Sequence, residues 1–353
     1  MPLQPLVGHT ALRARLETQI TRGTLPASLL LQGAPGIGKQ QLALWIARRL
    51  ICLQPDSPCG SCQHCRYALD GVHPDIRWFF PQPRAKGGSD LALEDVARDC
   101  AEAVAERASA GGIYARPDGS NGLFLYHSRL LAYEAVRTPA MAKRKVFVIG
   151  DAERMVPQIA NPDGANAFLK LLEEPPADTT LILTSSEPGA LLPTIRSRVV
   201  SVRVGPLADD DVRALLANPS ALEAAGGGPI EQLVRRARGA PGRLIGTDGR
   251  EAATKRARAL LDAVHGGREQ ALRAAFTQGS SKARGSFSDV LDAMTEELND
   301  RARNALLAGE RSLAAAAAKS VPLVEEAKRA AEGNLNPQLV CANLLSRLQE
   351  LGT

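Results

Sequence analysis

The sequence predicts an α/β chain in which a parallel sheet of about five strands, carrying a phosphate-binding loop, is followed by helical domains. Three observations point there. The stretch Gly33-Ala34-Pro35-Gly36-Ile37-Gly38-Lys39-Gln40 lies between the apolar run Ser28 to Leu31 and the helical run Leu42 to Ile46, and so reads as strand, loop, helix. Short buried-strand runs then alternate with helical runs as far as residue 204. After Gly205-Pro206 the β-type runs stop and the chain is helical to its end.

A length of 353 residues exceeds one ordinary core and sets an expectation of two or three domains. No stretch approaches the apolar length of a membrane span, and the first residues lack the basic-then-apolar pattern of a signal peptide, so a cytoplasmic protein with no membrane contact is expected. The net charge of +5 is compatible with nucleic-acid contact without requiring it, and an aromatic content of 4% offers few platforms for stacking single-stranded bases. Six cysteines in a cytoplasmic chain argue against a disulfide framework, and four of them cluster between positions 52 and 65, which points to metal.

Taken in order, Val7-Gly8-His9 precede a helix marked by Leu12, Leu16 and Ile20 and closed by Gly23 and Pro26. In the phosphate loop, Gly33, Gly36 and Gly38 let backbone N–H groups turn toward an anion, the helix N-terminus adds its partial positive charge, and Lys39 can reach the phosphates. The eighth position of such a loop supplies the Ser or Thr hydroxyl that ligates Mg²⁺, and here it is Gln40. An amide is a poor substitute at an octahedral, oxygen-ligated ion, so the loop is expected to hold phosphate and to hold the metal of ATP/Mg²⁺ badly.

Cys52, Cys59, Cys62 and Cys65 follow, with the spacing C-x6-C-x2-C-x2-C in a polar, loop-like segment that contains Ser57, Ser61, Gln63 and His64. Nested C-x2-C turns wrap a tetrahedral Zn²⁺, and four thiolates leave no coordination position for water, so the expected zinc is structural. Buried thiols acting as small apolar side chains would gain little in so polar a segment. A base-reading zinc finger would need Cys2His2 spacing and a recognition helix, and neither is present.

His73-Pro74-Asp75 begins a strand at Ile76 to Phe80, and residues 82–125 read as an insertion with one helix around Leu93 to Ala108 and turns at Gly111-Gly112 and Pro117 to Gly122. A helix near Leu130 to Val136 precedes the buried strand Lys145 to Ile149. At that strand's carboxyl end a working ATPase places an acidic residue that helps hold Mg²⁺; here the position is Gly150, with Asp151 kept beside it and Glu153 following. A helix through Asn166 to Glu174, a strand at Leu181 to Thr184, the pair Ser197-Arg198 and a last strand at Val199 to Val204 complete the sheet domain. Asp209-Asp210-Asp211 open the helical part, the segment Ala240-Pro241-Gly242-Arg243 sits in a basic cluster with Arg235, Arg236, Arg238, Lys255, Arg256 and Arg258, and a further change falls near Gly266-Gly267.

These residues resemble the clamp-loader subunits of bacterial DNA polymerase III, within the AAA+ ATPases. The phosphate loop, the four-cysteine module, His73-Pro74-Asp75, Asn166 to Pro175 (NAFLKLLEEP), Ser197-Arg198, the second-sensor-like segment ending at Arg243, and Asn334 to Leu339 carry the resemblance. It implies a nucleotide-binding domain over 1–204 with the zinc module at 52–65 and the insertion at 82–125, a helical lid over 205–264, and an oligomerising helical collar over 265–353. It places Gly33, Gly36, Gly38, Lys39, Asp151, Thr184 and Arg243 around the nucleotide, and makes Arg198 a finger directed at the neighbouring subunit's ATP. Within this family the gamma/tau subunits hydrolyse ATP, whereas delta-prime subunits carry defective versions of the same site. Gln40 and Gly150 set the resemblance with the delta-prime kind, which implies no polymerase activity and no significant ATPase activity in the chain itself. The implied partners are gamma/tau and delta subunits in a ring, and through them the sliding clamp and primer-template DNA. The alternative is an active gamma/tau-like ATPase, and the intact Lys39 keeps nucleotide binding open. The chain departs from the family pattern at Val199, where the family has Ser-Arg-Cys, at Ala27, where it has Leu-Pro-His, and in the length of the 82–125 insertion.

Overall fold

The computed structural model describes residues 3–55, 57–85, 91–115, 121–155, 162–245, 247–277, 284–332 and 335–351, and the side chains of these apart from those of 162–167, 247–251, 284–286 and 332. Residues 117–120 of the turn expected at Pro117 to Gly122, the Asn166 side chain and Asn334 lie outside what is described. The residues fall into two compact units, one built from 3–245 and the other from 247–351.

The first unit holds a five-stranded parallel sheet of β1 (Ser28–Gln32), β2 (Ile76–Phe79), β3 (Lys145–Ile149), β4 (Thr179–Ser185) and β5 (Val200–Arg203), in the order β2-β3-β4-β1-β5. Its helices are α1 (Thr10–Thr21), α2 (Lys39–Ile51), α3 (Gln63–Leu69), α4 (Leu93–Ser109), α5 (Leu125–Ala135), α6 (Pro162–Glu173), the single turn α7 (Pro193–Arg196), and α8 (Asp209–Leu216), α9 (Pro219–Ala224) and α10 (Ile230–Ala237). Because strand side chains alternate between faces, Leu29, Leu31, Val146, Val148 and Ile182 pack with Leu16 of α1 and Leu42 and Ile46 of α2. Leu30, Phe147, Ile149, Leu181 and Leu183 pack on the opposite face with α4, α5 and α6 through Val96, Leu130 and Leu172. Both faces being covered explains why β3 and β4 are continuous apolar runs rather than alternating ones. The register Leu29↔Ile182 and Leu29↔Val200 brings the loops after β1, β4 and β5 to one edge, joined there by the loop after β3. Ligands of open parallel sheets bind at that carboxyl edge.

Residues 205–245 form α8 to α10 around Leu207, Val212, Leu216, Leu233 and Val234, and end in the 3₁₀ turn Pro241–Leu244. The second unit consists of α11 (Thr247–His265), α12 (Arg268–Phe276), α13 (Arg284–Leu307), α14 (Arg311–Glu332) and α15 (Pro337–Glu350), packed around Leu260, Leu261, Phe287, Leu291, Met294 and Leu345. Of the stretch expected as a lid, residues 205–245 thus lie in the first unit, and α11 lies in the second. Two local details differ from the sequence reading. The helix expected near Leu130 begins at Leu125, with Phe124 N–H bonded to His127 Nδ1 at its start. Part of the cysteine segment read as loop is the short helix α3. Among the described residues, no helix is long and apolar enough to cross a membrane.

Candidate functional site

The phosphate loop joins β1 to α2, and Gly36 (φ +80°) and Gly38 (φ +89°) take the left-handed backbone that side-chain-bearing residues resist. Its groups are already engaged. Lys39, buried, donates from Nζ to Gly33 O (2.9 Å), Ala34 O (2.8 Å) and Ser186 Oγ (2.8 Å). Gly33 N–H donates to Ser185 O at 3.2 Å. His9 Nε2 lies 2.8 Å from Ile37 O and, facing a carbonyl, is the protonated ring nitrogen. Gly242 N–H donates to Gly36 O at 2.9 Å, so the turn carrying Arg243 rests directly on the loop. A Cβ on Gly242 would come within 2.7 Å of Gly36 Cα, which explains why both positions are glycine.

At the eighth position both ends of the Gln40 amide are engaged within the chain. Gln40 is buried, and its one side-chain oxygen, Oε1, accepts the Trp78 indole N–H at 2.9 Å. An indole nitrogen only donates, which fixes the amide orientation and turns Nε2 toward Asp151, whose Oδ2 accepts at 2.9 Å. The carboxylate therefore meets a donor where a divalent ion would need an oxygen ligand. The other expected metal-supporting position, Gly150, is tied to this arrangement: a Cβ there would sit 2.4 Å from Gln40 Oε1. Asp151, at φ +47°, donates its N–H to the hydroxyl of the fully buried Thr184 at 3.1 Å. Glu153 Oε1 accepts Ser186 N–H at 2.9 Å, while its buried Oε2 has no hydrogen-bond partner among the described residues. Burial, followed by repulsion from Asp151, pushes the Glu153 carboxyl above the usual range.

Three residues at this site escaped sequence reasoning. Trp78 reads as an ordinary apolar strand residue, and nothing in the sequence marks its indole N–H as the partner of Gln40. Arg107 and Tyr114 come from the insertion: the Arg107 guanidinium carbon lies 3.3 Å from the Phe80 ring centroid and 3.8 Å from that of Tyr114, and 5.3 Å from that of Trp78. The Gln41 side-chain amide donates to Gly112 O at 2.9 Å and ties the turn after α4 to α2. The end of α4 thus backs the strand that positions Gln40.

Arg198 stands apart, on the turn between α7 and the edge strand β5. It donates from Nε to Glu173 Oε1 (2.6 Å) and from Nη1 to Thr194 O (2.8 Å), with Nη2 also on Glu173. The guanidinium is only partly covered.

The four cysteines meet where α2 ends and α3 begins. Their sulfurs all lie within 4.8 Å of one another, with Cys52–Cys59 at 3.7 Å and Cys52–Cys62 and Cys59–Cys65 at 3.9 Å. Four thiolates about 2.3 Å from a tetrahedral Zn²⁺ stand about 3.8 Å from each other, so the cluster has the right size for that ion. Cys62 N–H points at Cys59 Sγ (3.3 Å) and Cys65 N–H at Cys62 Sγ (3.4 Å). The first of these bonds holds the Cys59 thiol down at about 6, whereas burial pushes that of Cys65 up to about 12. Beside the cluster, Asp75 N–H donates to Nδ1 of the buried His73, which burial keeps neutral with a pKa of about 4. The proton of His73 is therefore on Nε2, and it is given to His64 Nδ1 at 3.0 Å. The Asp75 carboxylate in turn accepts N–H bonds from Ala140, Met141 and Ala142 at 2.6 to 2.7 Å. The His-Pro-Asp triplet thus links the cysteine module to the loop that enters β3.

A parallel sheet in the order β2-β3-β4-β1-β5, with a glycine-rich loop after β1 and a helical segment resting on that loop, defines an AAA+-like α/β domain. Residues 8–208 match the family described as DNA polymerase III, delta subunit. The chain is 35% identical over 173 residues to DNA polymerase III subunit delta' of Pseudomonas aeruginosa and 32% identical over 173 residues to that of Escherichia coli, covering 48% of this chain and 40% of each relative. It is 28% identical over 244 residues to DNA polymerase III subunit gamma/tau of Mycobacterium bovis, covering 65% of this chain and 35% of the relative. The chain belongs to the DNA polymerase III delta-prime subunit family, which is related to the gamma/tau clamp-loader subunits. The match spans less than half the length of these relatives.

Proposed function

We propose that this chain is a non-hydrolysing member of a DNA polymerase III clamp loader, joining gamma/tau and delta subunits in a hetero-oligomeric ring that loads the sliding clamp onto primed DNA. The observation that carries this reading is the Gln40 side chain, which turns its amide nitrogen to Asp151 and fills the space a side chain at position 150 would need. Phosphoryl transfer relies on a metal ion to neutralise charge on the β- and γ-phosphates, and both positions that would support it are altered together.

In this reading Arg198 acts on the neighbouring subunit's nucleotide, where a guanidinium supplied in trans stabilises charge developing on the transferred phosphoryl group. Its place just before an edge strand supports that role. Zn²⁺ held by Cys52, Cys59, Cys62 and Cys65 would act as a structural cross-link, because four thiolates complete its coordination. The lid (205–264) and the oligomerising collar (265–353) are the remaining functional divisions. An active gamma/tau-like ATPase is the second reading, favoured by Lys39 and by the longer alignment with gamma/tau.

The deciding experiment is reconstitution with gamma/tau and delta subunits, with ATP hydrolysis and clamp loading measured with and without this chain. Loading that requires the chain supports the proposal; failure to enter the complex overturns it.

A further inference from the structure

Two separate elements hold the Arg198 guanidinium. Nε (2.6 Å) and Nη2 both donate to Glu173 Oε1 at the end of α6, and Nη1 donates to Thr194 O (2.8 Å) and Ser197 Oγ (3.3 Å) on the α7 turn. Thr194 O is open to a side chain because the turn is too short to use it: the backbone N–H groups of Ser197 and Arg198 go to Pro193 O and Ile195 O. Ser197 Oγ donates to the same Thr194 carbonyl at 3.1 Å and so offers a lone pair to the guanidinium.

Stability does not account for this arrangement. With 29% of the Arg198 side chain and 43% of the Glu173 side chain uncovered, the ion pair is one that water screens, and it stabilises the fold little. Holding a long arginine in one geometry also costs side-chain entropy. Glu173 is the last residue of α6, where the negative end of a helix disfavours a carboxylate, and Pro175-Pro176 keep the helix from running on past it. What the contacts do achieve is direction. Both Glu173 bonds fall on the Nε–Nη2 edge of the guanidinium, and Nη2 carries a second N–H that no contact among the described residues uses. We infer that Glu173 is the positioning residue of the Arg198 finger, anchoring one edge of the guanidinium so that the remaining Nη2 donor is presented to a phosphate oxygen of the neighbouring subunit's nucleotide. This rests on the trans role of Arg198 given above. Glu173 itself touches no phosphate; it acts through Arg198, by removing the rotamer search that an unanchored surface arginine makes before it meets its target.

The test uses the assembly with gamma/tau and delta subunits and reads two quantities, the clamp-loading rate at saturating ATP and the ATP concentration that gives half that rate. The chains compared are the parent, Glu173→Ala, Glu173→Gln, Glu174→Ala, Arg198→Ala and the double variant Glu173→Ala with Arg198→Ala. Misplacing a catalytic group by about 1 Å costs up to ~10²-fold, so Glu173→Ala is expected to slow loading by ~10–10²-fold, less than Arg198→Ala does, with the half-maximal ATP concentration within about two-fold of the parent. Glu173→Gln keeps an oxygen for the same two N–H groups and is expected to recover most of the rate, and the neighbouring Glu174→Ala to match the parent. In the Arg198→Ala background Glu173→Ala should cost nothing further, because residues that act as one unit are not additive. Parental loading in Glu173→Ala where Arg198→Ala is slow, or a further loss in the double variant, overturns the proposal. Parental loading in Arg198→Ala overturns the trans role instead. If Glu173→Ala does not enter the complex, the isolated chain carries the test: exchange of the Arg198 Nε–H with solvent, followed by ¹⁵N NMR, should be slow in the parent and Glu173→Gln and fast in Glu173→Ala, and equal exchange in all three overturns the proposal.

Discussion

Gln40 and Gly150 share one volume: a Cβ built on Gly150 would lie 2.4 Å from Gln40 Oε1, 2.5 Å from Cδ and 2.6 Å from Nε2. The two departures from a metal-binding site are therefore a single structural change. Gly150→Asp alone is expected to destabilise the chain by ~1–3 kcal/mol through overpacking. Gln40→Thr alone removes the partner of the Trp78 indole and of Asp151, at a cost of about 1–3 kcal/mol. The double variant should cost less than the sum of the singles by at least about 1 kcal/mol. Urea denaturation of the four proteins measures this, and strict additivity would show that the two positions are independent.

Zinc binding should weaken on acidification, because each ligand must shed its proton and burial pushes the Cys65 thiol up to about 12. Metal analysis after dialysis should find zinc retained at about pH 7.5 and lost toward about pH 5, and chelation at neutral pH should lower the melting temperature. Zinc content that is unchanged across that range contradicts the four-thiolate assignment.

Asp75 gives a second pH dependence. Burial alone would raise its pKa, but N–H bonds from Ala142, Ala140 and Met141 outweigh this and leave it below the usual carboxylate value. A carboxylate depressed by folding contributes stability that is present above its unfolded pKa of about 3.9 and is lost as pH falls through the folded value. Asp75→Asn should therefore lower stability at neutral pH and make the acid limb of the stability profile shallower. An unaltered acid limb would show that Asp75 does not carry this dependence.

The ion pair of Arg198 with Glu173 is partly exposed, and breaking it should change stability by no more than about 1 kcal/mol. Arg198→Ala is thus expected to fold, keep its zinc and enter the complex. Arginine fingers are worth ~10³–10⁵ in rate, so ATP hydrolysis and clamp loading by the assembly should fall visibly. Arg198→Lys should rescue little, because an ammonium lacks the planar fork. Parental loading rates with Arg198→Ala would remove the trans role.

Much of the sheet was legible because β1, β3 and β4 are buried on both faces and so appear as the apolar runs Ser28 to Leu31, Lys145 to Ile149 and Leu181 to Thr184. The phosphate loop and the cysteine cluster were legible because their chemistry depends on local spacing. What depends on contacts across the chain was not. No local pattern tells that Trp78 and Asp151 would take the two ends of the Gln40 amide, that Gly242 would rest on Gly36, or that Arg107 would bring the insertion up behind β2.

Whether the chain is itself an ATPase is read from Mg²⁺-dependent ATP hydrolysis by the isolated, zinc-loaded chain, with Lys39→Ala as the reference for background. The parent is expected to hydrolyse ATP no faster than Lys39→Ala, because Gln40 presents a donor where the ion needs an oxygen. Sustained turnover by the parent that Lys39→Ala abolishes would contradict this and make the chain an ATPase of the gamma/tau kind.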